Sequence, residues 1–295
     1  MTKIFFFEKD FVVFELIRYI DVTNLLNTTK LLKHVKKKFI YRKLNKEYSL
    51  EYYNNEEFRN IVNNSVEKSN KQIRLNSYYY DKITDVNALG NVHTLDLSYC
   101  RNITDVSALG NVYTLNLCGC NITDVSELGN VHTLDLSYCI NITDVSALGK
   151  VHILSLRGCK KITDVNALGN VHTLHLDACE NITDVSALRN VYKLNLSCCC
   201  NINDVSKLEN VYSLNLSCCR NITDVSALGK VHTLDLSYCQ KITDVSALGN
   251  IHTLDLSYCQ NITDVSALGK NHILYLCGCY NITDVSALGN VHILD

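Results

Sequence analysis

Fifteen cysteines, ten histidines and a regular series of aspartates carry whatever chemistry this sequence could perform. Ten of the cysteines keep one spacing: Cys100, Cys120, Cys139, Cys159, Cys179, Cys199, Cys219, Cys239, Cys259 and Cys279. Thiols in numbers suggest zinc, but a zinc site uses four tetrahedral ligands and usually a loop-borne C-x₂₋₄-C spacing. The five remaining cysteines are Cys118, Cys198, Cys200, Cys218 and Cys277. Sulfurs from Cys198–Cys200 and Cys218–Cys219 lie in neighbouring repeats, yet alternate residues of a strand point to opposite faces, which spoils such a run as a chelator. The in-register cysteines read as small buried side chains at the bend where a strand ends. Each weak S–H is placed to donate to a backbone carbonyl of the adjacent coil.

Histidines at 93, 132, 152, 172, 232, 252, 272 and 292 share one repeat position with Tyr113, Tyr192 and Tyr212. A catalytic histidine would be singular and matched to a particular partner; these form a ladder, which reads as structural. Aspartates recur at the position of Asp105, including Asp85, Asp124, Asp144 and Asp284. Calcium-binding solenoids cluster carboxylates in glycine-rich loops, whereas here each repeat supplies one aspartate in a turn. No metal and no cofactor is expected. Nor is an enzyme expected, since repeats fill the sequence after residue 83.

What positions these residues is a repeat of 20 residues, clearest at Val92–Asn111. Its anchor leucines are Leu95, Leu115, Leu134, Leu154, Leu174, Leu194, Leu214, Leu234, Leu254, Leu274 and Leu294, with one 19-residue step before Leu134. Leu95 and Leu97 alternate with Thr94, Asp96 and Ser98, the period of a strand with one buried face. Ile103, Val106 and Leu109 add three inward side chains. The Asp105 carboxylate is placed to accept an amide hydrogen bond two or three residues on, suiting a short turn or 3₁₀ segment. Gly110 suits a left-handed or otherwise tight return to the strand side. Eleven strands at about 4.8 Å spacing make a sheet roughly 50 Å long, in which neighbouring coils supply one another's core.

The pattern L-x-x-L-x-L-x-x-C-x-x-I-T-D, read at Val92, Leu95, Leu97, Cys100, Ile103, Thr104 and Asp105, resembles the cysteine-containing class of leucine-rich repeats. That class has longer repeats with a convex helix, and 20 residues leave no room for one. The expected fold is therefore an α/β leucine-rich-repeat solenoid. It has a parallel concave sheet, short convex turns or 3₁₀ segments, and a small N-terminal helical module. The boundaries are 1–70 and 71–295.

Residues 1–70 do not repeat. Asp10 and Thr23 can each cap a helix, the first bearing Phe11, Phe14, Leu16, Ile17 and Ile20, the second Leu25, Leu26, Leu31, Leu32 and Val35. Residues 47–66 also read as helical, with Leu50, Tyr53, Phe58, Ile61 and Val62. The series Glu15 to Asp21, then Asn24-Leu25-Leu26, then Thr29-Lys30-Leu31-Leu32 resembles an F-box, with Glu8-Lys9 standing where the family opens on Leu-Pro. The resemblance implies that residues 10–36 dock the linker subunit of an SCF-type ubiquitin ligase through Leu16, Ile17, Ile20, Leu25 and Leu26. Joined to leucine-rich repeats, it implies a substrate-recognition adaptor. The alternative is a plain interaction or structural solenoid with a helical N-terminal cap and no link to ubiquitin.

Charge supports neither nucleic acid nor an anionic membrane as partner, because the net value is −2. Residues 1–70 hold 13 Lys/Arg against 9 Asp/Glu, so the front is basic and the repeats acidic. No secretory signal pattern and no apolar run of about 20 residues is present, so a cytoplasmic protein with reduced thiols is expected. Asp295 falls mid-strand, and a bare edge of that kind is expected to pair with a second copy unless the natural chain continues. Outward strand residues repeat as Thr-Asp-Ser at both ends and change in the middle, to Ser155 and Arg157, His175 and Asp177, then Lys193. These lie on successive strands and form the expected protein-binding patch on the concave face. Arg157 is expected there as an unpaired cation.

Overall fold

The computed structural model describes residues 46–60, 74–76 and 83–295. Leu16, Ile17, Ile20, Leu25 and Leu26 lie outside the described residues, as does the tail of the 47–66 helix beyond residue 60. The chain divides into Met1–Arg74 and Leu75–Asp295. In the first unit, helix α1 spans Lys46–Asn54, and residues 56–60 are helical again. Asn55 separates the two and caps the second, its Oδ1 accepting the Phe58 amide at 3.0 Å. Tyr52 and Phe58 are buried.

The second unit is a twelve-stranded parallel sheet whose strands follow chain order. They are β1 (Arg74–Asn76), β2 (Thr94–Asp96), β3 (Thr114–Asn116), β4 (Thr133–Asp135), β5 (Ile153–Ser155), β6 (Thr173–His175), β7 (Lys193–Asn195), β8 (Ser213–Asn215), β9 (Thr233–Asp235), β10 (Thr253–Asp255), β11 (Ile273–Tyr275) and β12 (Ile293–Leu294). The periodicity predicts eleven strands; the twelfth is β1, whose Leu75 stands 20 residues before Leu95. The register is one repeat throughout, as in Leu154↔Leu174 and Leu174↔Leu194. Pairing outlasts the three-residue strands. Leu97 donates to Asn116 O at 2.8 Å, Tyr99 to Cys118 O at 2.7 Å, and His132 O accepts both the His152 and Ile153 amides.

Inside each coil Val92, Leu95, Leu97, Cys100, Ile103, Val106 and Leu109 and their counterparts form the core. The in-register cysteines do what their spacing predicts. Cys120 Sγ donates to Leu97 O at 3.3 Å, and Cys139, Cys159, Cys179 and Cys199 donate one coil back at 3.1 Å. Burial pushes the Cys120, Cys159 and Cys179 thiols up to about 12, so each keeps its proton and its hydrogen bond.

The convex side carries ten 3₁₀ segments among the described residues, from Asn87–Leu89 to Ser286–Leu288. Asp105 Oδ1 accepts the Ser107 amide at 2.9 Å, and Asp124, Asp144 and Asp284 repeat the bond. The carboxylates therefore brace the backbone just ahead of each segment.

Gly110 corrects one expectation. Its backbone is right-handed (φ −60, ψ −16), and its role is closeness. A Cβ there would sit 2.3 Å from the Glu127 carbonyl oxygen of the next coil. The left-handed turn falls instead where the strand ends, at Tyr99 (φ 61), Tyr138, Ala178, Cys198, Cys218, Tyr238 and Tyr258, with Gly119, Gly158 and Gly278 at the same position. Arg189 and Glu209 stand where other coils have this closely packed glycine. Around Glu209 residues 206, 207 and 209 lie in turns where other coils have a 3₁₀ helix. Leu208 still donates to Val205 O at 3.0 Å and Val211 to Leu208 O at 3.1 Å, the bonds of the regular segments.

Two outcomes follow. Gly149→Ala, whose Cβ would meet Ala167 O at 2.3 Å, lowers stability by about 1–3 kcal/mol, whereas Gly289→Ala, with nothing within 4 Å, is neutral within about 0.5 kcal/mol. Equal melting midpoints for the two variants contradict the close-approach account. The second outcome is acid sensitivity. The serine amide two residues on, then its hydroxyl, lowers the carboxyls of Asp105, Asp124, Asp144 and Asp184 from the ordinary 3.8. A carboxyl lowered by folding contributes stability that is complete above its unfolded value and is lost as pH falls through its folded one. The midpoint is therefore level from pH 7 to about 5 and drops below about pH 4. Exchanging Asp124 and Asp144 for asparagine, which accepts the same bond without titrating, flattens that drop; an unaltered acid profile contradicts it.

Candidate binding surface

Outward residues of the strands face solvent beside one another at the sheet spacing, so a column of side chains runs across the concave face at each repeat position. Register sets His175 between Ser155 and Asn195, and Thr173 between Ile153 and Lys193. The residues picked from sequence thus share one area. Lys193 and Arg157 are exposed, while Ser155, His175 and Asp177 are half-buried.

Arg157 is not the unpaired cation that the sequence suggests. Its Nε lies 2.9 Å from Asp177 Oδ2, with side-chain exposures of 56% and 13%. Its guanidinium also lies 5.7 Å from the centroid of the Tyr138 ring. On the far side, Asn195 Nδ2 donates to Asp177 Oδ1 at 3.3 Å. Tyr138, Arg157, Asp177 and Asn195 therefore form a chain across four consecutive coils. The signal was present in the sequence: Arg157 and Asp177 are 20 residues apart at one repeat position, which makes them neighbours. Nearby, the hydroxyls of Ser137 and Ser155 are 2.7 Å apart. An ion pair this exposed contributes at most about 1 kcal/mol to stability; its effect is to hold the guanidinium in one place.

Asp96 points outward, yet the chain itself engages it. Its Oδ1 accepts the Ser98 amide at 3.0 Å and the Ser98 hydroxyl at 2.6 Å. Asn116, Asn195, Asp235 and Asp255 accept the corresponding amide. This position braces the left-handed turn at the strand end. Ser155 and His175, and Tyr275 near the other end of the sheet, stand where most coils have the bracing Asp or Asn.

The histidine and tyrosine ladder is continuous. From His93 to His292 eleven rings stack at centroid distances of 4.4–4.9 Å. It borders the concave face at the N-terminal ends of the strands. In His132, His172, His232 and His252, Nδ1 lies 3.1–3.2 Å from the hydroxyl of the next threonine. The opposite border holds Tyr99, Tyr138 and Tyr258, each packed over the glycine of the following coil, at 119, 158 and 278. Among the described residues no three His, Cys, Asp or Glu side chains converge as a metal site would require, and no helix is long and apolar enough to cross a membrane. The buried thiols, protonated and bound to carbonyls, are poor nucleophiles. What remains is a rigid polar sheet with aromatic borders and a held arginine, the residue types that dominate protein interfaces.

Residues 230–249 and 250–269 match the leucine-rich-repeat family model. No curated protein matches the chain. An internalin (InlF) of Listeria monocytogenes superposes with a TM-score of 0.51 at 23% identity, covering 77% of this chain and 80% of its own. Internalin C2 of the same organism reaches a TM-score of 0.35 at 26% identity, covering 64% of this chain and 73% of its own. The functional domain of InlJ, also from Listeria monocytogenes and described as including a cysteine ladder, reaches 0.39 at 20% identity over 75% of this chain and 60% of its own. Coil geometry, matched repeats and the InlF superposition agree that this chain is built as a leucine-rich-repeat solenoid.

Proposed function

We propose that this chain is a protein-binding module whose concave sheet captures a partner around Arg157. The carrying observation is the Tyr138–Arg157–Asp177–Asn195 chain, in the part of the sheet where outward residues depart from the repeat. Asp177 and the Tyr138 ring restrain the guanidinium in advance of binding, which lowers the entropy lost on contact. His175, on the next strand, and Lys193, two strands over near the strand starts, offer further polar contacts on the same face. A partner surface carrying a carboxylate and an aromatic or apolar anchor suits this patch.

The test is affinity purification of the full chain from its source cells with quantitative mass spectrometry. Arg157→Ala and Lys193→Ala are each expected to reduce a captured protein by about tenfold, equivalent to 1.4 kcal/mol. Lys150→Ala, exposed on the convex side, is expected to leave capture unchanged. Asp96→Ala is unsuitable as a neutral control because it removes the bond to Ser98. Capture that survives the concave variants, or falls equally with Lys150→Ala, overturns the assignment.

A second reading makes the module a cytoplasmic substrate-recognition adaptor of an SCF-type ubiquitin ligase. What supports it is the F-box-like series Glu15–Asp21, Asn24–Leu26 and Thr29–Leu32. Under this reading the concave face takes the protein to be ubiquitinated, and residues 10–36 take the linker subunit. Leu25→Asp is expected to abolish linker co-purification while the solenoid keeps its melting midpoint. Absence of the linker from wild-type preparations, or its retention by Leu25→Asp, leaves the plain protein-binding reading.

A further inference from the structure

Cys198 and Cys218 occupy the same repeat position in adjacent coils, immediately beyond β7 and β8. Both adopt the left-handed conformation, with φ of 60 and 62. The Cys198 amide donates to Ser217 O at 2.8 Å, which keeps the two coils aligned at this point. Neighbouring positions in such a register have Cα atoms about 4.8 Å apart, inside the 4.4–6.8 Å range that a disulfide spans. With one repeat position and one backbone conformation, the two side chains leave adjacent coils in the same direction. Cys198 is exposed and Cys218 half-buried, so a small reagent reaches them. The other described coils place Tyr, Gly or Ala at this position.

Their surroundings separate them from the other thiols. Cys199, next in sequence, points inward, donates to Leu176 O at 3.1 Å and is pushed up to about 12 by burial. Cys219 donates to Leu196 O at 3.1 Å and is raised by burial as well. Cys200 is engaged with the carbonyls of Cys198 and Cys218 at 3.5 and 3.7 Å. A crosslink here would fasten the coil of β7 to the coil of β8 just beyond their strands.

We propose that Cys198 and Cys218 form a redox-responsive pair, which a low-molecular-weight disulfide such as oxidised glutathione converts into an inter-coil disulfide. One thiol loses its proton and its thiolate attacks glutathione disulfide, forming a mixed disulfide and releasing one reduced glutathione. The second thiolate then attacks the protein sulfur of that mixed disulfide, forming the Cys198–Cys218 bond and releasing the second glutathione. Two protein thiols are oxidised and one glutathione disulfide is reduced. Burial, then the neighbouring Cys218, raises the Cys198 thiol above its ordinary value, so the reaction is slow at neutral pH and accelerates as pH rises.

The experiment uses the full chain, equilibrated with oxidised glutathione, alkylated and digested with trypsin, which cuts at Lys207 between the two cysteines. Linked peptides carrying Cys198 and Cys218, a loss of two hydrogens from the intact mass, and reversal by dithiothreitol are expected. The crosslink closes a loop of about 20 residues, so the oxidised chain melts roughly 5 °C higher. Cys198→Ser and Cys218→Ser each block the link and leave a glutathione adduct on the remaining thiol, while Cys200→Ser leaves it intact. Linkage through Cys200, linkage between two chains, or mixed disulfides alone in the wild-type protein overturns the proposal.

Discussion

No coil of the solenoid closes its own core; the next coil, set one repeat along in exact parallel register, closes it. Val265, followed by another coil, is 1% exposed, whereas its counterpart Val285 is 53% exposed. The inward leucines, valines and isoleucines therefore stabilise the fold only through their neighbours, and stability accrues coil by coil. Everything else in the molecule depends on that alignment, because a shift by one residue would turn every leucine outward.

Alignment at about 4.8 Å also means that whatever occupies one repeat position meets its own kind in the next coil. Where the side chain can use such a neighbour, a column forms. Cysteines donate to carbonyls one coil back, asparagines such as Asn181 and Asn201 donate to carbonyls of the preceding coil, and aromatic rings stack for the length of the sheet. Where the neighbour is unfavourable, another interaction must outweigh it. Asp105 feels the charge of Asp124, yet the amide and hydroxyl of Ser107 have the larger effect and its carboxyl stays easier to ionise than usual.

The departures from repetition are few and concentrated. Arg157 beside Asp177 replaces a serine column with an ion pair, and Ser155 and His175 replace the bracing Asp or Asn. Arg189 and Glu209 replace the closely packed glycine in two successive coils. Outward positions accept such changes because they touch solvent and immediate neighbours, while inward ones are confined on all sides.

Strand spacing, the 3₁₀ convex side, the inward cysteines with their carbonyl bonds and the aspartate turns were all legible in the sequence. Each follows from residue type and a period of 20, which are local properties. The tertiary structure decided what depends on two coils at once. It paired Arg157 with Asp177 and linked Asp177 onward to Asn195. It also assigned the left-handed turn to Tyr99, where the strand ends, and left Gly110 right-handed. A glycine in sequence announces only that a Cβ is unwelcome. Whether the reason is a torsion angle or a carbonyl 2.3 Å away is settled by the coil that packs against it.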